Sequence, residues 1–411
     1  MAAAKRRATS PWCLPAVCLA AGLAGLSVTI TGPILVDIAE GYGITVALAG
    51  QLMTVASLAG MGGTLGLSPL LDRVGRREAI TITLAGMTAA SLGCAIAGGG
   101  REFRPPSPGF VILCVFYGLV GLGGYTLVAL ALAAIGDLYQ GRELGWAMGW
   151  LVAGNMGITV VSLPIISALA DRVAWPLAFV FYAALASAAA VVVHRSLPAG
   201  LCTAGAAHAS YAAGFRRVFS NKAVLALLVT VAVYHASVYG FGTYIGAVAI
   251  ERLGATTAQA GPILSVRLLG TVLAGLLAGR FLRATDWRLT ATAALVCAVL
   301  SVAVYGARGS IATFVIMAAL HGATIGVMDV GLNSLVVSVD AGGRGSVTAL
   351  RSVMDSLGGV VGPALGGAII AGSGYPGAGR LFALLALAAA AFIALSARLR
   401  GAPVRERSVE A

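Results

Sequence analysis

Charged residues are scarce in this 411-residue chain, because Asp, Glu, Lys and Arg make up 10% of it while 59% is hydrophobic. Soluble domains carry about 25% charged residues, so the composition excludes a soluble globular protein. Acidic residues are scarcer than basic ones: the chain has 15 Asp and Glu against 27 Lys and Arg, which gives a net charge of +12. In a soluble protein that charge would suggest a nucleic-acid partner, but the placement of the basic residues explains it differently.

Metal-binding and catalytic patterns are also missing. The cysteines are scattered without the spacing of metal ligands, and most lie in apolar segments where Cys behaves as a small hydrophobe. Neither H-E-x-x-H nor G-x-S-x-G occurs, and no P-loop is present that could bind ATP. We therefore expect no metal site, no cofactor and no disulfide framework, and we expect that the chain is not an enzyme.

Long apolar runs dominate the sequence instead. A membrane-spanning helix needs about 20 mostly apolar residues, and twelve runs come close to or exceed this length. We number them spans 1 to 12 in chain order: 12–38, 46–71, 78–98, 109–136, 146–170, 174–193, 223–250, 258–279, 289–307, 311–338, 346–371 and 379–399. They predict an all-α polytopic membrane protein with twelve transmembrane helices in two pseudo-symmetric six-helix halves. The halves are residues 1–193 and 223–411, and a polar cytoplasmic linker, residues 194–222, joins them.

Basic residues lie mainly on one side of this arrangement. If the N-terminus is cytoplasmic, the tails and loops on the cytoplasmic side hold Lys5, Arg6, Arg7, Arg73, Arg76, Arg77, Arg142, Arg195, Arg216, Arg217, Lys222, Arg280, Arg283, Arg288, Arg344, Arg351, Arg398, Arg400, Arg405 and Arg407. The opposite side holds Arg101, Arg104, Arg172, Arg252, Arg308 and Arg380. Because cytoplasmic loops carry an excess of Lys and Arg, we expect both termini in the cytoplasm and the protein in a bacterial inner membrane. The net charge then needs no nucleic acid.

A charged turn between spans 2 and 3, residues 68–77, is the most specific motif. A weaker copy follows span 8, about half the chain length later. Charged side chains cannot remain in lipid, so both turns mark water-facing connections at the same membrane surface. Their charged and glycine positions are Asp72, Arg73, Gly75, Arg76 and Arg77 in the first turn and Arg280 and Arg283 in the second. The repetition indicates one six-helix unit present twice, which is typical of transporters.

With this turn and two halves of six spans, the whole chain resembles the major facilitator superfamily (MFS) of secondary transporters. The family signature G-x-L-x-D-R-x-G-R-R is matched by residues 68–77 at every specified position except the first, where Ser68 replaces Gly. The resemblance implies the MFS fold and a conformational latch, in which Asp72 faces the N-terminus of span 11 and the arginines pair with cytoplasmic acids. A turn that only anchors the membrane topology is the alternative. Gly279 and Leu282 replace the Asp and Gly in the second turn, so we expect only the first to latch.

Two departures from the family bear on the transport mechanism. Proton-coupled drug exporters carry an Arg in span 4, where this chain has Tyr117, with His321 at the matching place in span 10. The antiporter motif of span 5 is reduced to Pro164. Its pattern is intact in span 11 as Gly358, Gly362, Pro363, Gly366 and Gly367. Small residues let helices approach closely in lipid, so we expect this stripe, like Gly62 of span 2, to form helix interfaces.

Charges inside apolar spans are costly and usually mark functional sites. Arg267 in span 8, Asp329 in span 10 and Asp355 in span 11 lie near the midplane, judged by their distance from the helix ends. In the family, span 8 neighbours span 10 and span 7 neighbours span 11. The resemblance therefore pairs Arg267 with Asp329 and places Asp355 against His235 of span 7. This Arg–Asp pair either couples protons or substrate to transport or is a fixed structural pair.

The resemblance implies a secondary active transporter that works by alternating access. We expect proton-coupled efflux of a small organic molecule by a monomer, with substrate, protons and the lipid bilayer as its partners. Arg267 would favour an anionic substrate, and Asn333, Tyr117 and His321 complete the set of candidate coupling and substrate residues. Proton-coupled uptake of a sugar, organic acid or other metabolite is an alternative, and a transport-inactive membrane receptor or scaffold is another.

Overall fold

The structure, a computed structural model, describes residues 11–66, 74–99, 108–199, 221–281, 287–338 and 344–401. Asp72 and Arg73 of the first charged turn lie outside the described residues, as do Arg283 of the second turn and most of the linker. The expectations placed on these residues therefore remain predictions.

Helices follow the apolar runs closely. Their bounds are Cys13–Ser27 and Leu35–Tyr42 for span 1, Val46–Ala49 and Gln51–Gly66 for span 2, Arg76–Gly99, Pro108–Leu138, Gly141–Arg172 and Pro176–Ser196 for spans 3 to 6, Lys222–Leu253, Thr257–Phe281, Trp287–Gly306 and Ile311–Ser338 for spans 7 to 10, and Arg344–Gly401 for spans 11 and 12 together. Within the described ranges, 10 helices are long and apolar enough to cross a membrane. The last is long enough for two crossings, and Cys13–Ser27 is a shorter apolar helix. The predicted all-α fold of twelve spans is confirmed.

Span 1 is not the continuous helix that its apolar run predicts. Its first helix ends at Ser27 and its second begins at Leu35. Pro33 has no N–H and disfavours helical geometry at the preceding residue, and the N–H of Gly32 bonds only three residues back. Irregular backbone is tolerated at membrane depth where protein covers it. Here Gly246 of span 7 packs against the carbonyl of Gly32.

Gly374 separates spans 11 and 12. Its φ of 67° and ψ of −174° interrupt the helical run, and this region of backbone space is open essentially only to glycine. The break confirms the boundary predicted between the two spans.

The helix packing repeats between the two halves. Span 1 packs against span 5, span 2 against span 4 and span 3 against span 6, while span 7 packs against span 11, span 8 against span 10 and span 9 against span 12. Each pair in the second half corresponds to a pair in the first, so the halves are structural repeats. Span 2 meets span 11 and span 5 meets span 8 across the boundary between the halves. The neighbours that the resemblance implied, 8 with 10 and 7 with 11, are confirmed.

The small residues of span 11 bring its backbone against span 7. A Cβ added at Gly358 would lie 2.7 Å from the backbone nitrogen of Ala236, and one at Gly362 would overlap the Ala236 carbonyl oxygen. Gly366 lies against the rings of Tyr244 and Phe382, and Gly367 lies against the Tyr244 hydroxyl and Gln51 of span 2. The stripe therefore fits the close packing that the sequence predicts.

A Gly362→Ala substitution is expected to lower the thermal unfolding midpoint of the purified protein, because the new methyl group must push span 11 away from span 7. Overpacking of this kind costs about 1–3 kcal/mol. Gly62→Ala is the matched control, since a Cβ at Gly62 would have no atom within 4 Å. The same open space shows that the packing role predicted for Gly62 is wrong. Equal midpoints for the two variants would contradict the close crossing.

Candidate functional site

Several contacts between the two halves lie on one side of the membrane. We call it the distal side, on which the odd-numbered spans end, and we call the opposite side the terminal side. At the distal end of span 8, Thr257 Oγ1 lies 3.1 Å from both carboxylate oxygens of Asp37. The N–H of Ala258 donates to Asp171 Oδ1 at 3.3 Å. Two carboxylates of the first half thus meet the positive end of the span 8 helix dipole.

Spans 2 and 11 form a second contact between the halves. Gln51 Nε2 lies 3.5 Å from the Pro363 carbonyl oxygen, and Thr54 Oγ1 lies 3.4 Å from that of Val360. The hydroxyl of Tyr244 in span 7 also donates to the Pro363 oxygen, at 2.9 Å. A backbone carbonyl oxygen has two lone pairs, so the Pro363 oxygen can accept side-chain donors from both halves. These contacts close the distal side of the molecule.

His235 and Asp355 form an ion pair near the middle of the second half. Nε2 of His235 lies 3.1 Å from Oδ1 of Asp355, although Oδ1 has no aligned hydrogen-bond donor. The other ring nitrogen, Nδ1, lies 2.8 Å from the carbonyl oxygen of Val231. The Asp355 side chain remains 24% exposed. The expectation that Asp355 faces His235 on span 7 is confirmed.

Tyrosine hydroxyl groups lie between Asp355 and the first half. Tyr239 of span 7 and Tyr125 of span 4 are both electrostatic neighbours of Asp355. The Tyr125 hydroxyl lies 3.2 Å from Oγ of Ser57 in span 2. Gly359 leaves room for this crossing, because a Cβ there would lie 3.0 Å from the Tyr125 hydroxyl. Tyrosines of both halves therefore lie close to the pair.

Asp329 belongs to the same group of charges. Its Oδ1 accepts a hydrogen bond from the Tyr234 hydroxyl at 2.9 Å, and its electrostatic neighbours include His235, Arg351 and Asp355. Arg351 was predicted among the cytoplasmic charges, but it lies within the span 11 helix. Its spacing of four residues from Asp355, which puts both on one helix face, is the signal that could have identified it. We call Asp329, His235, Arg351 and Asp355 the charge cluster.

Arg267 does not form the ion pair with Asp329 that the sequence predicts. Its side chain is buried, with 7% exposed, and its Cζ lies 5.2 Å from the centre of the Phe241 ring. Nε and Nη2 are buried without a hydrogen-bond partner. The ion pairs found among the described residues are Arg76–Asp137, Arg77–Glu78 and His235–Asp355. Asp329 is only an electrostatic neighbour of the guanidinium.

His321 lies flat on Phe241, with ring centroids 3.6 Å apart and an angle of 8° between the planes. Its Nε2 lies 3.4 Å from Oγ of Ser301. The same nitrogen lies 3.5 Å from Sγ of Cys297, and the Ser301 hydroxyl donates to the Cys297 carbonyl. Nδ1 is buried without a partner. His321 and Arg267 thus share Phe241, away from the His235–Asp355 pair.

Two predicted site residues do not join these groups. The hydroxyl of Tyr117 donates to the Ser27 carbonyl at 2.8 Å within the first half, where it supports the broken end of span 1. Asn333 is exposed on span 10. The sequence reveals how deep a residue lies in a span but not the face on which it projects.

The described part of the charged turn forms ion pairs on the terminal side. Nε of Arg76 lies 3.1 Å from Asp137 Oδ2 at the end of span 4, and Nε of Arg77 lies 3.3 Å from Glu78. Gly75 precedes the helix and its carbonyl accepts from Ala79, whereas Arg280 is exposed. Asp137 is the kind of acidic partner that the resemblance implied for these arginines.

A sequence profile of the Major Facilitator Superfamily matches residues 17–338 and 238–411 of this chain. The "Inner membrane transport protein YdhP" of Escherichia coli O157:H7 is 24% identical over 388 residues, which cover 93% of this chain and 96% of YdhP. The "Uncharacterized MFS-type transporter YbcL" of Bacillus subtilis is 28% identical over 190 residues, 46% of each chain.

Solved structures share the fold at low sequence identity. A D-xylose–proton symporter superposes with a TM-score of 0.73 at 14% identity, over 92% of this chain and 96% of the symporter. A bacterial homologue of the human lysosomal transporter Spinster, in an inward-facing and unoccupied conformation, gives a TM-score of 0.70 at 16% identity. That match covers 95% of this chain and 96% of the homologue.

Proposed function

The chain belongs to the major facilitator superfamily of transporters, and we propose that it couples proton entry to the export of a small organic molecule by alternating access. Its place would be the bacterial inner membrane, where it would act as a monomer with both termini in the cytoplasm. The excess of Lys and Arg on the terminal side supports this orientation. The printed description of YdhP as an inner membrane protein supports the location.

The observation that carries the proposal is the contact between the His235 imidazole and the Asp355 carboxylate inside the second half. A carbonyl oxygen only accepts hydrogen bonds, so Nδ1 of His235, 2.8 Å from the Val231 oxygen, carries a proton. Nε2 then faces Asp355 Oδ1 at 3.1 Å. A proton taken up here, on Nε2 of His235 or on the carboxylate of Asp355, would lie between the two groups and strengthen their contact. The pair is therefore our candidate proton-binding group.

Conformational change would alter how well this proton is held. Tyr239 and Tyr125 are both electrostatic neighbours of Asp355, and Tyr125 lies in the first half. If the halves part, Tyr125 moves away from Asp355 and the surroundings of the carboxylate change. A ligand that binds two conformations with different affinity shifts the equilibrium between them, and the same holds for a proton. Proton binding and rearrangement of the halves would then be coupled.

The closed distal side supports one end state of an alternating-access cycle. With the termini in the cytoplasm, the contacts of Asp37 with Thr257 and of Asp171 with Ala258 close the molecule toward the outside. A central site would then open to the cytoplasm, from which an exporter takes up its substrate. Breaking these contacts would open the outer side for release.

Transport assays in liposomes test the proposal. The purified protein is reconstituted, a pH gradient is imposed, and the accumulation of labelled organic anions, organic cations and sugars is measured. Antiport moves solute against the proton flow, so the transported solute should accumulate in the more acidic compartment, and an ionophore that collapses the gradient should abolish accumulation.

The same assay separates the alternatives. Accumulation in the more alkaline compartment would establish proton symport, as expected for an uptake permease. A solute flux that does not depend on the pH gradient would contradict proton coupling. Ligand binding without any flux would favour a receptor or scaffold over a transporter.

A further inference from the structure

Arg267 carries a buried positive charge that no acidic side chain of the described residues neutralises at ion-pair distance. Its side chain is 7% exposed, and Nε and Nη2 have no hydrogen-bond partner. A buried charge without a partner is strongly unfavourable. The face of Phe241, 5.2 Å from Cζ, offers a weak cation–π contact but no hydrogen-bond acceptor.

The nearby acids are engaged elsewhere. Asp329 accepts the Tyr234 hydroxyl at 2.9 Å, and Asp355 is paired with His235. Arg351 and His235 add positive charge beside Asp329, which lowers its capacity to neutralise a further cation. The guanidinium therefore lacks a negative counter-charge, and the described part of the chain does not supply one.

The two unpartnered donors are adjacent on the guanidinium. Nε and Nη2 form one edge of the planar group, and this edge matches the two oxygens of a carboxylate in a bidentate pair. Phe241 lies beside it, and His321 stacks on Phe241 with its Nδ1 unpartnered. Both rings are fully buried in this conformation, so a ligand reaches this edge of Arg267 only when the surrounding spans separate.

We infer that the substrate is a small organic carboxylate, whose carboxylate binds the Nε–Nη2 edge of Arg267 when the surrounding spans separate and expose it. The inference rests on the proposed transport function, whose substrate it assigns to a chemical class. The carboxylate supplies the missing counter-charge, so substrate binding relieves the unfavourable burial of Arg267. The site belongs to the second half, separate from the His235–Asp355 pair.

Thermal unfolding of the purified protein tests the inference without any transport. The probes are sodium benzoate, hexanoate and succinate, each compared with its neutral amide of the same size. A ligand that binds the native state raises the unfolding midpoint increasingly with concentration. We expect at least one carboxylate to raise the midpoint while its amide does not, and Arg267→Met to lose this shift. Arg267→Lys, which keeps the charge but not the fork, should weaken binding by about tenfold or more.

The ligand-free midpoint provides a second measurement. If Arg267 lacks an internal partner, Arg267→Met should leave the ligand-free midpoint unchanged or raise it, because an uncompensated buried charge is removed. Arg252 is the matched control, since its Nη1 donates to the Tyr305 carbonyl at 2.7 Å, and Arg252→Met should lower the midpoint. A large loss of stability in Arg267→Met would reveal a structural ion pair and overturn the inference.

Two further outcomes test the binding of a carboxylate by Arg267 independently of the proposed function. The inference is overturned if none of the carboxylates stabilises the wild-type protein, or if stabilisation persists in Arg267→Met. If a carboxylate binds through Arg267 but its flux does not depend on the pH gradient, the proposed proton coupling is contradicted while the carboxylate site stands. Gradient-driven flux of a solute without a carboxylate, together with no carboxylate binding, would overturn the inference alone.

Discussion

Asp355→Asn is expected to reduce pH-gradient-driven accumulation of solute to the level of protein-free liposomes. Asparagine keeps the size and the hydrogen-bonding groups of aspartate but cannot take up a proton. His235, with Nδ1 bonded to Val231 and Nε2 at 3.1 Å from the carboxylate, then loses its acidic partner. Exchange of labelled for unlabelled solute across the membrane needs no net proton movement and is expected to continue.

A carboxylate outside the charge cluster provides the control for this variant. Glu251 Oε2 also accepts a tyrosine hydroxyl, that of Tyr375 at 2.8 Å, but it lies at the distal end of span 7. Glu251→Gln should keep gradient-driven accumulation. His235→Asn should behave like Asp355→Asn, because either change removes the pair. Accumulation by Asp355→Asn at the wild-type level would show that the pair does not couple protons to transport.

Joining the distal ends of the two halves covalently is expected to stop transport. Cysteines replace Asp37 and Thr257, whose oxygens are 3.1 Å apart, in a background without native cysteines, and a short reducible cross-linker connects them. Alternating access requires these ends to separate in every cycle. Flux should therefore fall to the background of protein-free liposomes after cross-linking and return after reduction.

The matched control joins two residues of the same half. Ser187 Oγ and Thr88 Oγ1 lie 3.4 Å apart on spans 6 and 3, and cysteines at these positions can be cross-linked in the same way. That link should leave flux intact, because both spans move together with the first half. Continued transport by the protein that is cross-linked between positions 37 and 257 would show that transport does not require the distal ends to separate.

The helices could be predicted because hydrophobic length alone determines where a chain crosses a membrane. The break in span 1 escaped the prediction, since Gly32 and Pro33 lie within an apolar run and hydropathy does not register an interrupted helix. In contrast, the boundary near Gly374 coincides with a change in composition. Residue type indicates burial, whereas backbone geometry depends on proline, glycine and the helices that pack around them.

The candidate site was predicted in part. Asp355 was placed against His235 because the resemblance supplied the neighbouring spans, and this contact is present at 3.1 Å. The Arg267–Asp329 pair failed because neighbouring spans do not fix which way a side chain turns. The Tyr234 hydroxyl donates a hydrogen bond to Asp329, and the Arg267 guanidinium lies over the Phe241 ring instead. Such choices depend on packing between several spans, which one sequence does not contain.

Proton movement driven by solute tests the central claim most directly. Liposomes containing the wild-type protein are loaded with a pH-sensitive dye and with the transported solute, with no imposed pH gradient. As solute leaves down its own gradient, a proton-coupled exporter must carry protons inward, so the interior is predicted to become more acidic. Asp355→Asn liposomes should show no such change. Solute efflux from wild-type liposomes at constant internal pH would contradict the account.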